Sequence, residues 1–399
     1  MAEPGVFEIC CPVQKYHWGK KGKSSLVAQL AFKGQHLESI EESSPYAELW
    51  MGTHPSCPAK LKGTDKTLES WISEHPECLG TEVKMMFGNQ LPFLFKVLSV
   101  DTALSIQAHP TKDLAEELHK ASPEHYPDSN HKPEIAIALT EFEALCNFRP
   151  LSEINRFTRE IVELRSLLGS DAEAPLQDKG FLKRCFRRLM VSNKDTFVPL
   201  LKVLSIRLTD KAKRGVVPDD LAEVYLRIYK SYPEDIGCFV VFFLNYIRLK
   251  PGEALFLAAN EPHAYISGNC VECMACSDNV VRAGLTPKFK DVDILCSMLS
   301  YNSILPTDVK FPPVGQDNCC CTFLPPIQDF AVSKYHVPEG RTHSMKAVGS
   351  ASIVIVVEGS GHMGKLPVSE GSILFLSAGK ELPIRAQFTL SMYQAYCPA

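Results

Sequence analysis

Apolar and polar positions change rhythm twice along this chain, and the changes divide it. Up to about residue 150 the apolar residues come in short runs interrupted by Gly, Pro and Asn, as in Leu91-Pro92-Phe93-Leu94-Phe95-Lys96-Val97-Leu98-Ser99-Val100. That is an all-β pattern with short helical excursions. From about 151 to 235 the period becomes helical: Ile154, Phe157, Ile161, Leu164 and Leu168 share a face, with Ser152 as N-cap and Gly169 as stop. Leu182, Cys185, Phe186 and Leu189 repeat the signature, as do Leu221, Val224, Tyr225 and Ile228, so this stretch reads as a helical insertion. The β rhythm resumes after Ile236, where the apolar run Ile236 to Leu244 reads as a buried element, far short of the ~20 residues a membrane-spanning helix needs.

A faint internal repeat follows. Gly252-Glu253-Ala254-Leu255-Phe256-Leu257-Ala258-Ala259 and Gly371-Ser372-Ile373-Leu374-Phe375-Leu376-Ser377-Ala378 share the pattern G-x-x-L-F-L-x-A, a glycine turn feeding a buried strand. Two related β-barrel-like units are expected. Eleven residues after the glycine the first copy has His263 and the second Leu382, so only the first barrel is expected to bind metal. The divisions are 1–150 together with 236–300 for a first barrel, 151–235 for the helical insertion, and 301–399 for a second barrel without metal ligands.

The length of 399 residues exceeds one ordinary core and fits three domains. A hydrophobic fraction of 45% and a charged fraction of 22% are those of a soluble globular protein, and a net charge of -4 with no Lys/Arg stripe gives no reason to expect nucleic acid. The amino terminus lacks the basic and apolar regions of a signal peptide, so a cytoplasmic protein is expected. Fifteen cysteines, an odd number, then read as reduced thiols. Cys270, Cys273 and Cys276 have a C-x2-C-x2-C spacing that, with one thiolate of Cys319-Cys320-Cys321, could hold zinc or an iron-sulfur cluster. A strand through them turns Cys273 away from the other two, and buried small hydrophobes are the better reading.

Stronger candidate chemistry lies in Leu104-Ser105-Ile106-Gln107-Ala108-His109-Pro110, where an extended strand points Gln107 and His109 to one face. Asn130-His131-Lys132-Pro133-Glu134 adds a carboxylate, and Asn260-Glu261-Pro262-His263-Ala264-Tyr265 a second imidazole. Two imidazole nitrogens, a carboxylate and an amide oxygen suit zinc, and less decisively manganese or iron(II). An iron(II) oxygenase would use two His and one carboxylate with open positions as its complete set, which this is not.

These segments, with Tyr46 to Pro55 and Val271 to Phe289 (VECMACSDNVVRAGLTPKF), resemble the type I phosphomannose isomerase family, scattered in the family's order over nearly 250 residues. The resemblance implies a mainly β protein: a cupin-like jelly-roll barrel interrupted by a helical domain, then a second jelly roll. It implies one zinc ion per chain, held by Gln107, His109, Glu134 and His263, and interconversion of mannose 6-phosphate and fructose 6-phosphate through a cis-enediol, feeding GDP-mannose synthesis. Arg282 falls on the family's active-site arginine, suited to stabilising charge because it does not deprotonate. Glu272, Lys132 and Asp278 are the candidates for the proton-transferring base, Glu272 favoured. Ser105, Lys96 and Lys288 are placed to meet the phosphate, Tyr265 and Asp278 to contact the sugar, and Trp18 and Glu48 to line the pocket, although a core role is the simpler reading of Trp18. The expected partner is a small sugar phosphate, bound by a monomer. A non-catalytic sugar-phosphate-binding cupin is the alternative.

Overall fold

The strand His263–Ala275, thirteen residues long, is the hub of the first barrel. It pairs antiparallel with Phe93–Val100, Phe142–Phe148 and Glu134–Ala138, and through His263 with Ile106–Ala108. The computed structural model describes residues 5–173, 180–214, 220–315 and 317–398. All eight residues of Phe93–Val100 are buried, which explains why its apolar run barely alternates. Lys96 and Ser99 are the polar exceptions in that run.

One irregularity decides what the hub strand presents to the barrel interior. The register against Phe142–Phe148 shifts between Tyr265 and Ser267, and Gly268 just beyond it has φ 112. Before the shift His263 and Tyr265 face inward; after it Cys270, packed in the same core as Tyr265, leads to Glu272. An even-numbered carboxylate and odd-numbered His and Tyr therefore share one face, which strict alternation forbids. A Cβ on Gly268 would lie 2.4 Å from the Glu141 carbonyl oxygen, so glycine is required both by the backbone and by space.

The helical stretch begins with Leu151–Glu160 and Val162–Leu168, continues with Phe181–Met190 and Lys194–Lys213, and ends with Asp220–Ser231. The expected single helix from a Ser152 cap is corrected in two respects. Pro150 occupies the N-cap, and Ile161 adopts an extended φ −90, ψ 97 that breaks the helix in two. The break lets Ile154 and Phe157 on one piece, and Leu164, Leu167 and Leu168 on the other, join one core; tertiary packing overrides a continuous period. The run Ile236–Phe242 is a fully buried 3-10 helix. No helix of the described residues is long and apolar enough to cross a membrane.

The carboxy-terminal unit is a double-sheet jelly roll. One sheet runs Cys320–Phe323, Ala331–Val337, Leu390–Tyr396, Ser352–Glu358, Ile373–Leu376 in space; the facing sheet contains Thr342–Met345, Leu382–Ala386, Ser360–Met363 and Leu366–Ser369. The first strand of the chain, Val6–Cys10, pairs with Ile373–Leu376 and so completes this second unit rather than the first. The repeat read from the sequence is structural at both sites: Gly252 (φ 89) and Gly371 (φ 90) feed Ala254–Leu257 and Ile373–Leu376. His263 and Leu382 then open the next strands. Between the barrels, Phe95, Val97, Ile135 and Cys273 meet Phe330, Val332, Phe375 and Tyr393 in a shared core. Cys270 faces the interior of the first barrel instead, so the strand separates the two thiols as alternation requires.

Candidate metal centre and adjoining cleft

The register brings four donors to one buried point. Gln107 pairs with His263, and Glu134 lies opposite Met274 and Leu257 on the two strands flanking its own. His109 follows one residue after Ile106–Ala108 and is 0% exposed. Its Nδ1 lies 2.8 Å from the Asn279 carbonyl oxygen, and His263 Nδ1 lies 3.2 Å from that of Glu261. Only an N–H can donate to a carbonyl, so both rings carry the proton on Nδ1 and turn an Nε2 lone pair inward. His109 Nε2 is 3.4 Å from Glu134 Oε1, His263 Nε2 is 3.5 Å from Glu134 Oε2, and the Gln107 amide is 3.4 Å from His263 Nε2.

Lone pairs facing a carboxylate repel unless a cation stands between them. His109 Nε2 and Glu134 Oε2 are buried and have no hydrogen-bond partner, a costly arrangement for groups that water cannot reach. Tetrahedral bonds of ~2.0–2.3 Å place donors about 3.3–3.8 Å apart, the spacing found here. Burial lowers His109 to about 4, with neighbouring Glu134 opposing, and so keeps the imidazole in its ligating neutral form. Burial pushes Glu134 upward, but His109 and Lys132 outweigh it and hold the carboxyl well below its ordinary value. Lys132 Nζ stands 3.3 Å from Glu134 Oε1. The Gln107 amide accepts from Ser105 Oγ at 3.3 Å; a half-turn about its last bond would present Oε1 to the centre. His109, Glu134 and His263 thus form a group able to hold a metal ion, and the donor set fits zinc.

A cleft of about 280 Å³ opens beside this centre. Its floor is a buried charge network. Lys96 Nζ lies 3.2 Å from Glu272 Oε2 and 3.6 Å from Glu48 Oε2, because Lys96 is the register partner of Glu272 on one side and Trp50 on the other. Tyr265 Oη donates to Glu272 Oε1 at 2.9 Å, and Trp50 Nε1 donates to Glu48. Burial acts against the Lys96 charge, but Glu48 and Glu272 together raise its pKa. Burial raises Glu272 despite Lys96.

Two cations line the rim. Arg282 is the register partner of Gln107 and is half-buried; its guanidinium has no ion pair or hydrogen bond among the described residues, and burial lowers its pKa. Lys288 is lowered by burial and by Arg282. Asp278 is half-exposed, its Oδ2 3.4 Å from His54 Nε2, which lowers its carboxyl.

The structure brings together Ser105, Lys96, Lys132, Tyr265, Glu272, Asp278, Arg282 and Lys288 along one cleft, with Gln107 and Glu134 in its wall and His109 and His263 behind it. Of the three residues expected to meet a phosphate, Lys96 is instead saturated by two carboxylates. Trp18 does both things expected of it: it lines the cleft, where it stacks with Tyr16 at 5.9 Å, and it packs against the core of the first barrel. Sequence reasoning missed Tyr16, His17 and His54. The aromatic cluster Tyr16-His17-Trp18 and the His following the buried strand Glu48–Met51 were the available signals.

A cupin-like barrel with an inserted helical region, a second jelly roll and a buried Gln/His/Glu/His centre beside a cation-rimmed cleft defines a zinc-binding metalloenzyme architecture. Comparison with known proteins makes the class specific. Family models for the phosphomannose isomerase type I catalytic domain, helical insertion domain and C-terminal region match residues 6–151, 159–244 and 323–363. The chain belongs to the type I phosphomannose isomerase family and is an enzyme of that type. The mannose-6-phosphate isomerase of Mus musculus is 47% identical over 422 residues, covering 100% of both chains, and that of Homo sapiens 46% over 407 residues, covering 96% of each. A crystal structure of mannose 6-phosphate isomerase in its holo, zinc-bound form superposes with TM-score 0.85 at 29% identity, covering 99% of this chain and 100% of that one. A mutant phosphomannose isomerase from Salmonella typhimurium gives TM-score 0.86 at 29% identity over the same shares.

Proposed function

We propose that this chain is a zinc-dependent aldose-ketose isomerase that interconverts D-mannose 6-phosphate and D-fructose 6-phosphate through a cis-enediol. The observation that carries the reading is the pairing of an intact buried donor set with an uncompensated Arg282 in the same cleft. Gln107, His109, Glu134 and His263 hold the zinc, which when bound supplies Lewis-acid polarisation of the sugar's oxygens.

The remaining chemistry belongs to the side chains. A base removes the proton on C2 of the aldose and returns it to C1, while a proton moves from the C2 hydroxyl to the C1 oxygen, so the sugar is isomerised with no net loss of atoms or electrons. Glu272 suits the base: burial raises its carboxyl above the ordinary value and so makes it more basic, while Lys96 at 3.2 Å opposes the rise. Lys132 is committed to Glu134, and the lowered Asp278 is a weaker base, better suited to holding a sugar hydroxyl. Arg282 stabilises the oxyanion that develops. Lys288 and Ser105 meet the phosphate dianion, with charge-assisted contacts from the lysine, and Tyr265 holds Glu272 in place while facing the sugar.

All these groups come from one chain, which supports a monomeric functional unit. The setting we assign is cytoplasmic, with mannose 6-phosphate supplied to GDP-mannose synthesis and glycosylation; nucleic acid plays no part. The test is a coupled assay of fructose 6-phosphate formation on protein as purified, after chelation, and after zinc is restored. Activity that vanishes and returns supports the proposal. Zinc-replete protein without turnover sinks it in favour of sugar-phosphate binding alone.

A further inference from the structure

We propose a second metal site, in the carboxy-terminal jelly roll, formed by Asp317, Cys319 and His343 and suited to a borderline-soft divalent cation of the zinc class. The three donor atoms lie within 4.8 Å of one another. Asp317 and Cys319 sit in the turn before the strand Cys320–Phe323, and His343 lies on Thr342–Met345, whose pairing is with Leu382–Ala386. The site therefore bridges the two sheets at one end of the sandwich.

Asp317 and Cys319 are held by the backbone around them. Asp317 Oδ1 accepts from the N–H groups of Cys319 at 2.7 Å and Cys320 at 2.9 Å, and Asp317 N–H donates to the Cys320 carbonyl at 3.1 Å. That fixes the carboxylate plane and leaves Oδ2 as the free oxygen, 3.7 Å from His343 Nε2. The Cys319 carbonyl accepts from His336 N–H at 2.8 Å, which anchors the thiol-bearing residue to the neighbouring strand. The His343 ring lies against Tyr335, centroids 6.0 Å apart.

In a tetrahedral site with bonds of ~2.0–2.3 Å the donors stand about 3.3–3.8 Å apart, so the Asp317–His343 pair is already at ligand spacing and the thiol closes the rest by turning about χ1. One sulfur, one imidazole and one carboxylate favour zinc, cobalt(II) or nickel(II) over calcium or magnesium, which prefer oxygen alone. Asp317 is exposed and Cys319 half-buried, so a water completes the coordination. Binding converts Cys–SH and M²⁺ to a metal thiolate and releases one proton to solvent.

Nothing in this site reaches the cleft, so its occupancy is separable from turnover. The test is equilibrium dialysis of zinc-loaded holoenzyme against cobalt(II), reading stoichiometry and thiolate-to-cobalt charge-transfer absorption. A second equivalent with that absorption is expected. Cys319→Ser and His343→Ala should each weaken it at least ~10-fold with isomerase activity unchanged, and Asp317→Asn, which keeps the two backbone hydrogen bonds, should weaken it without disturbing the fold. The His109→Ala chain should still bind one equivalent. A stoichiometry of one in the holoenzyme, or a second equivalent that survives in both the cysteine and histidine variants, overturns the assignment.

Discussion

Replacing Lys96 by Met isolates the charge network under the cleft, because methionine keeps the length of the side chain and removes only its charge. At an effective dielectric of ~20, an ion pair at the Lys96–Glu272 distance of 3.2 Å is worth about 5 kcal/mol before desolvation, and the Glu48 pair at 3.6 Å somewhat less. All three groups are under 10% exposed, so solvent relieves little. Removing one partner of a buried pair typically costs 3–5 kcal/mol, and here two carboxylates are stranded on one face. The loss is expected to depend on pH. Burial already holds Glu272 above its ordinary value and Lys96 opposes that rise, so the variant raises it further. Between the unfolded and native values the folded state keeps a proton that the unfolded state has lost. Stability is then fullest below the unfolded value and falls as pH rises through the native one, by ~1.4 kcal/mol per unit of pKa difference.

Urea denaturation of the zinc-loaded variant should therefore show a penalty of about 3–5 kcal/mol near pH 8 that shrinks by a third or more near pH 5. The acid limb of kcat/KM should move to higher pH in the same variant, since Glu272 must lose its proton to act as base. Adding Glu272→Gln removes one of the stranded charges and should recover part of the stability while abolishing turnover. A loss of equal size at both pH values, or a second substitution that adds to the first instead of relieving it, would refute the account of the network.

The other expectations concern the metal, the oxyanion and the hub strand. His109→Ala should lose zinc and activity together, measured by metal analysis and the coupled assay, whereas Arg282→Ala should keep zinc and lose about 10²–10³ in kcat; an arginine variant with normal turnover removes that residue from the chemistry. Asp128→Ala should weaken zinc ~10–100-fold in chelator competition, because Asp128 accepts from Ser277 Oγ, Asp278 N and Asn279 Nδ2 and so fixes the carbonyl that accepts the hydrogen bond from His109 Nδ1. Gly268→Ala should cost at least ~1–3 kcal/mol of backbone strain and lower kcat by misaligning Glu272 with Tyr265; unchanged denaturation and kinetics would show that the register shift tolerates a side chain.

What the sequence made legible were local periods and short motifs. Phe93–Val100, the helices carrying Leu182 to Leu189 and Leu221 to Ile228, and the glycine-led strands of the repeat all follow from neighbours in sequence. Gln107 and His109 were legible as a pair because a short extended segment settles their common face. The Lys96–Glu48–Glu272 network was not, since it exists only through the register of three strands. Lys96 looked like a phosphate ligand for the same reason: nothing local announces two carboxylates from elsewhere. The break at Ile161 was equally hidden, because both halves keep the helical period and only the shared core shows that they turn. Strand Val6–Cys10 pairs with a partner more than three hundred and sixty positions away, beyond any pattern-based assignment.

The two barrels differ in what fills them more than in how they are built. Each has a positive-φ glycine feeding an apolar strand, and each opens its next strand eleven residues on, with His263 in one and Leu382 in the other. In the second barrel Leu382 packs with Val354, Met363, Leu374, Ile384 and Met392 in a closed apolar core. In the first, the same position faces Gln107 and Glu134, and the interior beyond it carries Lys96, Glu272 and Tyr265. A polar interior of this kind is costly unless its charges and lone pairs are matched, which the Lys96 network does for Glu48 and Glu272, and a bound cation would do for Glu134 and the inward lone pairs of the two imidazoles. The second barrel contributes to the stability that such an interior forgoes: Phe330, Val332, Ile353, Phe375 and Tyr393 on its face join the core in which Phe95, Ile135 and Cys273 pack. That division of labour explains why the first barrel can devote one face of its hub strand to chemistry while Val271 and Cys273 on the other pack into the shared core.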